Sequence, residues 1–112
     1  MINRVIIVGR VVKDAELKTT YGGTSVCKFV LAVNRNKKVG DKWEEETSYI
    51  DVQAWAKLAE FASDKLTKGK QITVEGSLRQ ERWESNGERK QRIIVVADEI
   101  EIPFEREDGN GF

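Results

Sequence analysis

Apolar and polar positions alternate along this chain in stretches that read as β-strands, and two of those stretches carry large aromatic rings on their polar side. In residues 47–55, Thr-Ser-Tyr-Ile-Asp-Val-Gln-Ala-Trp, the even positions Ile50, Val52 and Ala54 form an apolar face. Tyr49 and Trp55 share the opposite face with Thr47, Asp51 and Gln53. Over residues 72–83, Ile72, Val74 and Leu78 point one way, and Trp83 points the other with Thr73, Glu75, Ser77, Arg79 and Glu81. Side chains alternate across a strand, so this parity states a direction. Rings on a wet, cationic surface suit a flat, charged partner, and a nucleobase on its phosphate backbone fits that description. An outward tryptophan has other uses, because a loop, the helix or another subunit can cover it and a single β-bulge reverses parity. Three rings on matching faces weigh against those alternatives.

The same periodicity orders the whole chain. A first strand is predicted over residues 3–12, apolar on both faces through Val5, Ile6, Ile7 and Val8 and therefore central. Tyr21-Gly22-Gly23 signals a turn before a second strand over 26–34, whose Phe29, Leu31 and Val33 share a face. Arg35 to Trp43 reads as a basic hairpin loop, and the third strand follows over 47–55. Leu58, Phe61, Ala62 and Leu66 then fall at i, i+3, i+4 and i+8, predicting a helix stopped by Lys68-Gly69. Strands four and five flank Asn86-Gly87, a strong hairpin signal, and the fifth runs over 91–102 through Ile93, Ile94, Val95 and Val96 until Pro103 ends it. The order β-β-β-α-β-β predicts an all-β fold with one helix, the OB-fold, a five-stranded Greek-key barrel that binds oligonucleotides across its second and third strands and nearby loops. One domain over residues 1–102 and a short acidic tail over 103–112 are expected.

Composition narrows the chemistry. A chain of 112 residues can bury a core without staples. It shows no internal repeat and no apolar run near membrane length, and its first nine residues lack the pattern of a secretory signal, so a cytoplasmic, nucleoid-associated location is expected. The lone Cys27 permits no intrachain disulfide, and the absence of histidine removes Ser/His and Cys/His nucleophile pairs and the usual zinc and haem ligands. No glycine-rich phosphate-cradling motif occurs. Asp14 with Glu16, and Asp98 with Glu99 and Glu101, read as solvated strand ends rather than metal sites. No catalytic residue, metal or cofactor is expected, and the protein is not read as an enzyme.

The net charge is zero, yet it is unevenly distributed. Residues 1–43 carry a balance of +6, 44–64 of −5, 65–92 of +4 and 93–112 of −5. Phosphate binding follows the local field, so a neutral chain can still present a cationic track.

Five segments, in order and spacing, resemble the DNA-binding domain of bacterial single-stranded DNA-binding proteins. They are Asn3-Arg4-Val5-Ile6-Ile7-Val8-Gly9-Arg10, Phe29-Val30-Leu31-Ala32-Val33, Ala54-Trp55-Ala56-Lys57-Leu58-Ala59-Glu60, residues 68–76 and Arg79-Gln80-Glu81-Arg82-Trp83. The resemblance implies a homotetramer around which single-stranded DNA wraps in replication, recombination and repair. It implies that bases stack on Trp55, Trp83 and Tyr49. Lys57, Lys68, Arg79 and Arg82 match basic positions along the DNA path, and Arg4, Lys37 and Lys38 join them as candidate contacts. Lys37 stands where members often carry a tryptophan, with Trp43 nearby to supply a ring, and Ala15 replaces a common proline. Members usually continue through a long linker to an acidic tip that recruits partner enzymes. Here Glu105 to Phe112 follows closely on the fifth strand, so tail-mediated recruitment of replication and repair proteins is expected to be weak. Two rivals stay open: an OB-fold protein-interaction module, and an OB domain for structured RNA.

Overall fold

In the computed structural model, residues 1–103 are described. They form β1 (Val5–Val11), β2 (Glu16–Thr19), β3 (Ser25–Val39), β4 (Lys42–Trp55), α1 (Ala56–Ala62), β5 (Gln71–Ser85) and β6 (Glu88–Glu101). The sheet order β1-β5-β6-β4-β3 closes on itself where β1 pairs with β3 through Arg10 with Ala32 and Val11 with Leu31. The result is the five-stranded barrel that the element order predicts, with β2 added as a short partner of β3. All four residues of β2 are exposed, so no buried face marks it in the sequence. Of the expected acidic tail, Pro103 alone is described; Glu105 to Asp108 and Phe112 lie outside the described residues.

The interior follows the alternation. Cys27, Phe29 and Leu31 from β3, Val52 and Ala54 from β4, Ile72 and Val74 from β5, and Val95, Ala97 and Ile100 from β6 form one buried cluster. Ala59 and Ala62 of α1, with Leu66, cap its end. The helix stops at Ala62 rather than near Lys68, and Leu66 is buried from the loop beyond it. Phe61, expected on the buried stripe, is half exposed under the Lys65 ammonium, which lies 4.4 Å from the ring centre. Gly69, at φ +87°, donates its N–H to the Val11 carbonyl at 2.7 Å and seals that end of the barrel. Gly76 sits where the β5–β6 register jumps, leaving Asp98 without a partner; a Cβ at Gly76 would collide with the Val96 carbonyl.

Both long hairpins run beyond the barrel. The sequence predicts a loop over residues 35–43, but β3 and β4 stay paired as far as Val39 and Lys42, around a two-residue Gly40-Asp41 turn. No apolar periodicity signals this ribbon, because both its faces are exposed: the backbone ladder carries it, with cross-strand ion pairs of Arg35 to Glu46 at 3.1 Å and Lys37 to the same carboxylate at 3.8 Å. The second ribbon turns at Asn86 and Gly87, with φ of 52° and 78°, the left-handed pair that a tight hairpin demands. Leu78 keeps its expected parity but is half exposed, since β5 has by then passed Val5 with Gly76, its last pair with β1, although its β6 partner Val95 is buried; Ile93, opposite Gln80 two pairs further out, is exposed as well.

Ala56 joins β4 to α1 at φ 55°, a left-handed conformation that a Cβ disfavours. Relief of about 1–2 kcal/mol of left-handed strain outweighs the roughly 0.4–1 kcal/mol of flexibility that glycine gains when unfolded, so Ala56→Gly is expected to stabilise the fold by a net ~0.5–1 kcal/mol. Urea unfolding of the two proteins measures this; a less stable glycine variant would show that the turn is not strained.

Candidate nucleic-acid interface

Cross-strand register fixes which side chains share the outer face, because residues directly opposite in an antiparallel pair project to the same side. On β4 that face carries Trp43, Glu45, Thr47, Tyr49, Asp51, Gln53 and Trp55; facing them on β3 are Lys38, Asn36, Asn34, Ala32, Val30, Lys28 and Val26. On β5 it carries Arg79, Glu81 and Trp83, opposite Ile94, Arg92 and Lys90 of β6. The parallel pairing of Val52 with Val95 and Gln53 with Val96 sets the two ribbons side by side.

The aromatic rings differ in how they are held. Trp43 and Tyr49 are each 68% exposed and Trp83 is 42% exposed, whereas Trp55 is half-buried. Val26, opposite Trp55, and Ile94, opposite Arg79, are both buried without belonging to the interior cluster. Val26 gives Trp55 an apolar seat on the outer face, while Ile94 lies two residues before Val96, the partner of Gln53. Trp55 Nε1 is buried with no hydrogen-bond partner among the described residues. Guanidinium groups lie against two of the rings, Arg79 at 5.8 Å from the Trp55 ring centre and Arg92 at 5.6 Å from that of Trp83, within the range of cation–π attraction.

A polar network runs between these two pairs. Gln53, 2% exposed, donates from Nε2 to Glu81 Oε2 at 2.8 Å and accepts from Arg79 Nη2 at 3.3 Å. The other Glu81 oxygen receives Arg92 Nε at 2.9 Å, and Arg92 also approaches Asp51 at 3.7 Å. The Gln53 amide first, and then Arg92, hold the Glu81 carboxyl below the usual glutamate range, against an opposing push from partial burial.

The remaining basic positions separate into groups. Arg82 lines an open groove of about 560 Å³ with Trp83, Glu84, Arg89, Lys90 and Gln91. A second groove, about 420 Å³, is lined by Lys28, Glu81, Arg82, Trp83 and Arg92. Lys38 stands directly opposite Trp43. Lys37 falls on the other side of that ribbon and bridges to Glu46. Lys57 is exposed on the first turn of α1, next but one to Trp55. Lys68 is exposed in the loop before β5, where its backbone N–H donates to Asp14 Oδ1 at 2.8 Å. Arg4 pairs with Glu75, eight residues and about 26 Å along β5 from Trp83, beside Ile6, Glu99 and Glu101. Lys28, Lys90 and Arg92 are not singled out by the sequence pattern. Counting back from a two-residue Asn86-Gly87 turn would have set Lys90 opposite Trp83 and Arg92 opposite Glu81.

A closed five-stranded barrel with one helix, two long ribbons and an aromatic, cationic outer face is an oligonucleotide- or oligosaccharide-binding fold. Its architecture matches a solved chain described as Plasmodium falciparum SSB in complex with ssDNA, with a TM-score of 0.82 over 93% of this chain and 96% of that one at 21% identity. The model of the single-strand binding protein family matches residues 2–103, and the chain belongs to that family. A single-stranded DNA-binding protein of Treponema pallidum is 43% identical over 101 residues, which cover 90% of this chain and 57% of that protein. The single-stranded DNA-binding protein 3 of Listeria innocua is 38% identical over 112 residues, 99% of this chain and 69% of the relative. The chain thus spans somewhat more than half the length of the Treponema protein. Membership sets it among binding proteins rather than enzymes. None of the helices among the described residues is long and apolar enough to cross a membrane.

Proposed function

We propose that this chain binds and protects single-stranded DNA, largely independently of sequence, in replication, recombination and repair in the bacterial cytoplasm at the nucleoid. The observation that carries the reading is the single outer face on which Trp55 and Trp83 each meet a guanidinium group, with Tyr49 on the same side of β4. Every base has a stacking face, whereas base-edge recognition needs a fixed donor and acceptor array, so rings accompanied by phosphate-binding cations favour tolerance of sequence. Trp43 and Lys38 extend the stacking and phosphate-binding surface along the β3–β4 ribbon, and Arg82 with Lys57 and Lys68 supplies further phosphate contacts. Family membership supports the choice of DNA over a protein partner.

We further propose a homotetramer. Ile6 and Val8 point outward from β1, a strand with neighbours on both sides, and are 65% and 53% exposed in the single chain. Another subunit is the cover this apolar pair calls for.

A salt titration tests the reading against its rivals. Affinity for oligothymidylate is expected to fall with a slope of about −0.7 per phosphate contact, giving a steep loss between about 50 and 200 mM salt. A salt-insensitive interaction would favour a protein-binding module, and preference for a folded RNA over the unstructured strand would favour the RNA reading.

A further inference from the structure

Among the described residues, Gln53 is the one buried polar side chain, and it does not lie in the barrel interior. It sits on the outer face and ties Glu81 to Arg79, while Glu81 in turn holds Arg92. Two indole–guanidinium pairs are thereby joined through one carboxylate, which holds Arg92 more closely than does Asp51, the other carboxylate near it, at 3.7 Å. We propose that Glu81 is an internal stand-in for phosphate: its carboxylate occupies Arg92 in the free protein, and a phosphodiester of the bound single strand takes its place. The inference rests on the single-stranded DNA reading and adds to it a device that sets affinity.

Geometry supports the exchange. Arg92 gives both Nε and Nη2 to the same Glu81 oxygen, each at 2.9 Å, and a phosphate oxygen can accept from those two donors in its stead. The Arg92 guanidinium lies 5.6 Å from the Trp83 ring centre, so a strand stacking on Trp83 brings its phosphates within reach of it. Lys28 and Arg82 line the same groove and neutralise a phosphate that arrives there. Gln53 keeps Glu81 in position from below, since its buried amide has few other partners to turn to. Glu81 therefore keeps Arg92 ordered and competes with the strand for it, which lowers affinity and speeds release.

Oligothymidylate titrations over a range of salt concentrations, with wild type, Glu81→Gln, Arg92→Met and the double variant, test the exchange. The glutamine substitution removes the charge while retaining the shape of Glu81 and a hydrogen bond to Gln53, and thermal unfolding verifies the fold. Glu81→Gln is expected to bind about three- to tenfold tighter at about 0.1 M salt, with a salt slope steeper by about 0.7, one added phosphate contact. That gain disappears in the Arg92→Met background, where no guanidinium remains to be released. Glu81→Asp, which withdraws the carboxylate by one methylene, moves affinity in the same direction by a smaller factor and serves if the glutamine variant does not fold. Unchanged or weaker binding by the Glu81 single variants overturns the proposal, as does a gain that persists without Arg92, which marks plain charge repulsion. Wild-type protein that fails to bind oligothymidylate at all overturns the single-stranded DNA reading and this proposal with it, whereas normal wild-type binding with no response to Glu81 removes this proposal alone.

Discussion

Trp83→Ala is expected to weaken oligothymidylate binding by about 1–3 kcal/mol, roughly five- to 150-fold, with the barrel still folded. Trp83 lies on the ribbon beyond the barrel, 42% exposed and outside the interior cluster, so its removal leaves the core untouched. What is lost is a stacking platform and the ring against which Arg92 rests. Trp55→Ala should cost binding to a similar extent and also lower stability, because the half-buried indole sits opposite Val26 and under Arg79. The two effects separate experimentally: binding measured well below the unfolding temperature reports stacking, and thermal unfolding reports the seat. Duplex DNA should bind poorly to all these proteins, because its base faces are already occupied. Unchanged affinity in both alanine variants would remove stacking from the account.

Charges on the outer side of β1 are expected to break the assembly. Ile6 and Val8 are aliphatic, outward and uncovered in one chain, and burying each against a second subunit would contribute about 1.5–3 kcal/mol. Ile6→Glu with Val8→Glu adds two charges beside Glu75, Glu99 and Glu101, which line the same groove as Ile6, and the neighbouring Arg4 is already engaged by Glu75. Light scattering at micromolar concentration should give a tetramer mass for the natural chain and a smaller species for the double variant, both folded by circular dichroism. A monomer mass for the natural chain would contradict the proposed assembly.

The barrel is legible in the sequence wherever burial imposes alternation. Phe29 and Leu31, Val52 and Ala54, and Ile72 and Val74 lie in the interior as their parity requires. The pattern says less where no interior exists. β2 has no buried residue, and the β3–β4 ribbon is a backbone ladder with exposed polar pairs such as Arg35 with Glu46, so neither leaves an apolar trace. Leu78 shows the converse error, in which an apolar residue of correct parity is exposed because β5 outruns its β1 neighbour. At the outer face, parity puts Tyr49, Trp55, Gln53, Arg79, Glu81 and Trp83 on one side, and the register keeps them there. What a single strand's pattern does not reveal is contact between strands. Gln53 reads as an ordinary outward polar residue, yet it is buried between Glu81 and Arg79, and Arg92 emerges only once β6 is laid against β5.

Intrinsic tryptophan fluorescence during titration with oligothymidylate tests the central claim most directly, because Trp55 and Trp83 are both the reporters and the proposed stacking platforms. Stacked bases should quench the emission saturably, at a stoichiometry that gives strands per assembly, and the signal should shrink in Trp83→Ala. Duplex of the same length should produce little change at equal concentration. Binding that leaves the emission unaltered, or equal quenching by duplex, would contradict an outer face built to hold single strands by their bases.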